Sequence, residues 1–473
     1  MHQDEPDPMP EDELEWSTGV NDELDWSVVD EEQLENAALN AYLDAEDEYV
    51  PLPSEDSFLI LSGDDAGSVV TAPPTGSVVS KTGSAPPRID RDQALSGSRP
   101  IYLVQRGGRY YKFLPRVLVG LHASYGDSLA LGAIVNIPSA NAQANRNFFA
   151  LSPVSALRIA DPQCYLLDTE VLRLPKVPIK SRGYKNAPYL TDAEAPDWVQ
   201  RVLDSQRASG ANLLLTPGRA LDPDDPQRSL DKTYEQGDDV LSRLGRGERV
   251  ALNLTLPARW LSSTALRNRL LDQIMDQDQF DTLYVRVQWA QGKAFTPPDD
   301  AELLAGIKKL ANLCADEERC LLLPQTGLTG WYALAHGAAG FGLGVSGTDQ
   351  AFAEYVFRAG AKGAVERYFE KQLIHTLERN THNVLARTPG YVRCTCPYCP
   401  ALFANEPWSH ELSALHYLHI MGELTARVQR DSTRNGRHAA LRRLVAAAQR
   451  FATDLPLNAE QSPKHLDAWG QAL

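Results

Sequence analysis

An α/β barrel with a small metal-binding segment near its C-terminal end is the fold class this sequence predicts, and three observations predict it. Six apolar runs of strand length alternate with amphipathic stretches of helix length from residue 161 onward. Runs that are apolar throughout belong to strands buried on both faces, the mark of a parallel sheet covered by helices. Three cysteines are packed into Cys394–Cys399. The first 80 residues hold 22 Asp and Glu and no Lys or Arg, which sets them apart as an acidic arm.

At 473 residues and 43% hydrophobic content, the chain can build one large core with appendages. Its formal charge of −16 is unevenly distributed: of 62 acids, the 40 outside the arm face all 46 bases, so the body is mildly basic at +6. Such a body can take a nucleic-acid partner, which the whole-chain charge would seem to exclude. The arm also reads as a solubilising tail on a neutral enzyme. No stretch approaches the roughly 20 apolar residues of a membrane span, and the acidic start lacks the basic and apolar regions of a secretory signal. A cytoplasmic protein with no membrane partner is expected. Cys164, Cys314 and Cys320 are dispersed in apolar contexts, so the six cysteines suit metal binding plus buried thiols better than a disulfide framework.

Taken in order, residues 1–98 read as a disordered acidic arm followed by a Gly/Ser/Pro linker, too poor in apolar surface to offset chain entropy. Within the arm "DELEWS" (Asp12 to Ser17) recurs as "DELDWS" (Asp22 to Ser27), so Trp16 and Trp26 stand in matching acidic surroundings. Aromatic anchors flanked by charge suit docking to a protein partner through a basic, apolar groove; drift in a low-complexity tail is the plainer account. Residues 99–160 read as a small α+β segment, a hairpin about a Gly-Gly turn and then a helix. Residues 161–390 supply the barrel. Its expected strands are "CYLLDTEVLRL" (Cys164 to Leu174), "ANLLLTPG" (Ala211 to Gly218), "RVALNLTLP" (Arg249 to Pro257), "FDTLYVRVQW" (Phe280 to Trp289), "RCLLLPQTG" (Arg319 to Gly327) and "GFGLGVSG" (Gly340 to Gly347). A TIM-like barrel comes first, its missing strands in 100–160 or 360–390, and a doubly wound open sheet second. Residues 391–473 read as a zinc-binding and basic helical subdomain.

In a barrel the reactive groups come from the C-terminal strand ends and the loops that follow. Asp168 interrupts the apolar run "LLDTE", where a carboxylate needs partners or a place at the mouth. It is a candidate catalytic group, Asp349 is the second, and a helix-capping or strand-end Asp paired with an arginine is the structural alternative. Arg286 and Gln288 stand at alternate positions of "YVRVQW" with Trp289 on the other face. They could bind a planar heterocycle or phosphate, or form an internal hydrogen-bonded layer. "GFGLGVSG" offers Gly342, Gly344 and Ser346 as a phosphate grip, or simply glycines that a crowded strand requires.

The sharpest signal is "RCTCPYCP". Cys394, Cys396 and Cys399 at C-x-C-x-x-C can wrap one tetrahedral ion, and soft sulfur donors favour zinc. "WSHELSALHYLHIMGELTARV" supplies the fourth ligand, with His416 first and His419, one turn on, second; His410 is expected to precede a helix that begins near Ser413. Four protein ligands leave no place for water, so the zinc is structural. Beyond lie Arg427, Arg430, Arg434, Arg437, His438, Arg442, Arg443 and Arg450, a basic face suited to phosphates or to solvent.

A barrel followed by C-x-C-x-x-C and a helix reading "ALHYLHIMGELTARV" resembles the tRNA-guanine transglycosylase superfamily, which includes members acting on DNA. The likeness is specific over residues 391–430 and architectural over 161–390. It implies zinc on Cys394, Cys396, Cys399 and His416, and exchange of guanine for a 7-deazaguanine through a covalent aspartyl-glycosyl intermediate. The family's "DSGGFQ" has its nearest counterpart in "LLDTEVLRL" at Asp168, and its "FDCVLPTR" has no match upstream of the cysteines. The expected function is therefore base exchange in tRNA or DNA. The alternatives are a non-catalytic nucleic-acid-binding or assembly subunit, and a metabolic barrel enzyme for a small phosphorylated substrate.

Overall fold

The computed structural model describes residues 87–97, 99–107, 111–174, 185–290, 297–345, 351–352, 365–404, 407–429, 433–453, 455, 457–458 and 461–473. The expected arm, with Trp16 and Trp26, lies almost wholly outside the described residues, as do Ser346, Asp349 and Arg430.

Eight strands build the barrel: β1 (Ile101–Arg106), β2 (Ala130–Asn136), β3 (Leu157–Asp161), β4 (Leu214–Leu215), β5 (Val250–Pro257), β6 (Thr282–Gln288), β7 (Cys320–Leu323) and β8 (Gly340–Leu343). They run in the order β3-β2-β1-β8-β7-β6-β5-β4, and every pairing is parallel. A parallel bridge from Ile159 to Leu213 joins the two outermost strands and closes the sheet on itself. Helices follow the strands on the outside: α2 (Leu114–Tyr125), α3 (Ala142–Leu151), α4 (Trp198–Ala208), α5 (Pro226–Ser242), α6 (Arg259–Ser262), α7 (Thr264–Asp276), α8 (Ala301–Asp316) and α9 (Gly327–Leu334). α2 shows the local logic. Pro115 sits in its first turn, where no amide is needed, and Leu114, Val117, Leu118 and Leu121 are buried at helical spacing.

The barrel therefore begins at β1. Residues 99–160 are its first three strands, not a separate α+β segment, and β1 and β2 lie parallel across α2, not in a hairpin. What looked like alternation is burial on both faces, since Ile101 to Gln105 are all buried. The expected strand from Cys164 to Leu174 is a 3-10 turn (Cys164–Leu167) and loop. Pro162 follows Asp161 directly and brings no amide to extend the ladder, so β3 ends there. Residues 360–390 hold no barrel strand among the described residues. Their strands, β9 (Arg367–Glu370) and β10 (His375–Glu378), pair with each other as an antiparallel hairpin.

The N-terminal end of the barrel is plugged. A short helix, α1 (Arg91–Leu95), is capped by Asp90, whose carboxylate accepts from the Gln93 amide while Gln93 returns a bond to the Asp90 amide. Ala94 is buried with Ile101, Ala130, Leu157, Ala251 and Cys320, all near the strand starts. After the barrel come the hairpin and α10 (Arg379–Leu385), α11 (Cys399–Ala404), α12 (His410–Val428), α13 (Arg434–Thr453) and α14 (His465–Ala472). α12 starts at His410, earlier than expected, because Ser409 caps it by accepting from the Leu412 amide at 3.1 Å. It packs on α2, with Gly422 against Leu121, and the Tyr102 hydroxyl of β1 donates to its Leu418 carbonyl at 2.8 Å.

Candidate functional site

Side chains inside the barrel change character from one end to the other. Ile101, Leu103, Ile134, Ile159, Leu213, Leu215, Tyr284 and Leu322 fill its lower and middle parts. At the C-terminal strand ends the buried residues become polar: Gln105, Asp161, Thr255, Arg286 and Gln325. This polar layer lies where barrels assemble their reactive groups.

Arg286 organises the layer. Its Nη2 donates to Asp161 Oδ2, its Nε to Gln325 Oε1 at 2.8 Å, and its Nη1 to Thr255 Oγ1 at 3.2 Å. The Tyr284 hydroxyl also donates to Asp161 Oδ2 at 3.2 Å, and the Gln163 amide to Asp161 Oδ1 at 2.9 Å. Arg286 is 0% exposed and Asp161 1%. Burial works against the charge of Arg286, but the Asp161 carboxylate outweighs it and holds the guanidinium above its usual range. Burial, with Asp161 beside it, pushes the Tyr284 phenol well up, so that group stays a donor.

An apolar cover closes this chamber. The Tyr165 ring stands 4.6 Å from the Arg286 guanidinium, Phe352 meets Tyr165 edge-on at 5.0 Å, and Leu172 completes the cluster. Asp168, in the same loop, is engaged through both oxygens. Arg219 Nε donates to Oδ2 at 2.7 Å and Nη2 to Oδ1, and the Ala220 amide donates to Oδ2 at 2.9 Å. Asp168 thus ends no strand: it forms an outer ion pair at the mouth, the arrangement foreseen as the alternative to catalysis. Gln288 donates to the Leu172 carbonyl at 2.7 Å, so this residue too holds the loop. Of the expected substrate groups, Arg286 lies within the inner layer. Gly342 faces the packed interior, where an added Cβ would lie 3.1 Å from Ile134 Cδ1 and 3.3 Å from Pro324 Cα. Close packing accounts for that glycine. Gly344 is buried just past β8.

The second site is the cysteine knuckle. Cys394, Cys396, Cys399 and His416 come together with their ligand atoms all within 4.8 Å of one another, a group able to hold a metal ion. His416 Nδ1 lies 3.2 Å from Cys396 Sγ and 3.3 Å from Cys399 Sγ. Its other nitrogen, Nε2, donates to the Phe369 carbonyl at 2.8 Å, which fixes the tautomer and leaves Nδ1 facing the thiols. Tyr368 stacks on the imidazole at 4.4 Å and its hydroxyl lies 3.3 Å from Cys399 Sγ. Hydrogen bonds among the three thiols hold Cys394 low and push Cys399 up, so they share their protons as one group, and metal binding would take the thiolates. His419, the second candidate, points elsewhere, its ring 6.3 Å from Tyr125 and 5.9 Å from Tyr398.

The basic run past the knuckle divides. Arg427 pairs with Glu423 and Arg434 with Asp316, while Arg442, Arg443 and Arg450 of α13 are exposed. Among the described residues no helix is long and apolar enough to cross a membrane.

No family model matches this chain, and no curated protein does either.

The residue that sequence reasoning passed over is Asp161, together with its partners Thr255 and Tyr284. Its signal was there to read. In "LRIADP" a carboxylate closes an apolar run and a proline follows, which is how a strand ends at a barrel mouth.

Proposed function

We propose that this chain is a base-exchanging transglycosylase-type enzyme acting on tRNA or DNA, with its reaction centre in the Asp161–Arg286 chamber and zinc on the Cys3His knuckle. The observation that carries it is a carboxylate and a guanidinium held together at the C-terminal end of a barrel that bears a Cys3His cluster. Base exchange needs a carboxylate oxygen to bond to the anomeric carbon as the glycosidic C–N bond breaks, while the leaving base is held and protonated. Asp161 is the carboxylate at the strand end, and Arg286 and Gln325 offer donors and an acceptor for the edge of a base. Three sulfurs and one imidazole suit zinc, and four protein donors give it a fastening role. Arg442, Arg443 and Arg450 suit contacts to phosphates. The test offers labelled guanine and labelled 7-deazaguanine, with tRNA and with duplex DNA, to the full-length protein. Incorporation into either nucleic acid supports the reading, and none into both sinks it.

A second reading, a non-catalytic nucleic-acid-binding subunit, is favoured by one observation. Both mouth carboxylates, Asp161 and Asp168, are neutralised by arginines. Salt-dependent binding of tRNA or duplex DNA without exchange would decide for it.

A further inference from the structure

The loop that follows β3 is bounded by two residues with unusual backbones. Among the described residues five that are not glycine have left-handed φ angles, and three of them surround the Arg286 chamber: Gln163 at 52°, Arg173 at 50° and Gln325 at 51°. Such conformations disfavour side-chain-bearing residues and persist where the surroundings hold them, commonly at clamps and switches. Gln163 and Arg173 mark the two ends of the segment that covers the chamber. Gln325 marks its far wall, where it binds Arg286 and where its carbonyl accepts from the Phe352 amide at 3.0 Å.

Between its ends the segment is fastened mainly by polar contacts. Asp168 is clasped by Arg219 and by the Ala220 amide, both just past β4, and the Leu172 carbonyl accepts from Gln288 of β6. Tyr165 and Leu172 supply its apolar underside. The chamber below is closed, with Asp161, Thr255 and Arg286 at 1%, 0% and 0% exposure. A ligand reaches Arg286 only after Tyr165 leaves its face.

We infer that residues 163–173 form a hinged cover over the Arg286 chamber, that Gln163 and Arg173 are its hinges, and that the Asp168–Arg219 pair is the latch that keeps it shut. The geometry assigns Asp168 and Arg219 as positioning residues, and this holds whichever reaction the chamber supports. Ion pairs at a partly exposed rim open at small cost, whereas the pair below is inaccessible until they do. The strand beside the cover is short: β4 is two residues long and meets β3 through one bridge and the side chain of Asn212.

Cys164, fully buried at the root of the cover, reports its opening. Full-length protein is treated with limiting iodoacetamide, and initial alkylation rates are read peptide by peptide by mass spectrometry. Cys314 and Cys320, buried elsewhere in the barrel, serve as internal controls for general unfolding. Arg219→Gln and Asp168→Asn should each raise the Cys164 rate about tenfold while leaving Cys314 and Cys320 within a factor of two, for a latch held by a few hydrogen bonds. Hydrogen exchange should rise over 164–173 in the same variants and stay slow in β6. An unchanged Cys164 rate overturns the latch. A parallel rise at all three cysteines overturns it as well, because the pair would then support the whole barrel.

Discussion

Removing the carboxylate of the inner pair should destabilise the protein far more than removing the outer one. Asp161 and Arg286 are 1% and 0% exposed, while the Asp168 and Arg219 side chains keep 13% and 21% of their surface. In Asp161→Asn the one remaining oxygen can keep the Gln163 amide, while an NH2 replaces the oxygen that Tyr284 and Arg286 share. Arg286 keeps Gln325 and Thr255 but loses the counter-charge of Asp161, beneath the rings of Tyr165 and Phe352. Breaking a buried pair from one side costs about 3–5 kcal/mol, because the remaining charge is stranded. Asp168→Asn breaks a pair that water reaches and should cost about 1 kcal/mol. The double variant Asp161→Asn with Arg286→Met removes both charges and should recover most of the first loss, a coupling of roughly 2 kcal/mol or more. Urea unfolding followed by tryptophan fluorescence, with metal content matched, reads five proteins: wild type, Asp161→Asn, Arg286→Met, their double variant and Asp168→Asn. The reasoning fails if Asp161→Asn costs no more than Asp168→Asn, or if the double variant falls at the sum of the two single changes.

Further expectations concern the knuckle, the β8 glycine and pH. Cys396→Ser and His416→Ala should each lose the roughly one bound metal per chain that a closed site holds, whereas His419→Ala should keep it; elemental analysis of purified protein decides. Gly342→Ala presses a methyl on Ile134 and on the Pro324 backbone and should cost about 1–3 kcal/mol, read as a shift in the urea midpoint. A neutral midpoint would return that glycine to the ligand-binding candidates. Burial lowers the pKa of His336 to about 3 and of His375 to about 4, and holds His465, which also faces His375, well down. These groups are neutral when folded, so the stability they contribute is complete above the unfolded value of 6.5 and is lost as pH falls from there toward 4. Three such protons give a slope of up to about 4 kcal/mol per pH unit, which His375→Gln should make visibly shallower in melting curves between pH 7 and 5.

How much could be read in advance depended on how local each feature is. The knuckle was legible because three thiols within six residues fix one another and the fourth ligand sits on a helix whose periodicity is plain. β5 and β6 were legible as strand-length runs rich in apolar residues, and both are buried on both faces. β3 was not: it has five residues, exposes the second of them, Arg158, and is followed by "CYLLDTEVLRL", a stronger apolar run that belongs to the cover. Tyr165 and Leu172 are apolar because they roof a chamber, and sequence pattern cannot distinguish a roof from a strand. Missing β3 displaced the carboxylate from Asp161 to Asp168 and moved the barrel's start from 101 to 161. The pairing of Asp161 with Arg286, 125 positions away, is a property of closure that no local pattern carries.

Closure also explains why the metal group stands far along the chain from the chemistry proposed for the mouth. β8 pairs with β1 over four residues, and β1 has a further fastening from outside the barrel. The chain after β8 provides it. The hairpin offers the Phe369 carbonyl to His416, the cysteines hold the other side of that histidine, and the helix carrying it lies across α2 and accepts a bond from Tyr102 of β1. A metal bound there would tie the hairpin, the cysteines and α12 into one unit that packs on α2 and β1. The β3–β4 seam is held differently, by one bridge, by Asn212, whose side chain accepts from the Arg158 amide at 2.7 Å and donates to the Ala156 carbonyl at 2.8 Å, and above them by the Asp168–Arg219 contact. The latch and the knuckle stand at different places on the barrel and share no residue, so loosening the latch should leave the metal ligands in place, while losing the metal should loosen the hairpin and α12 first.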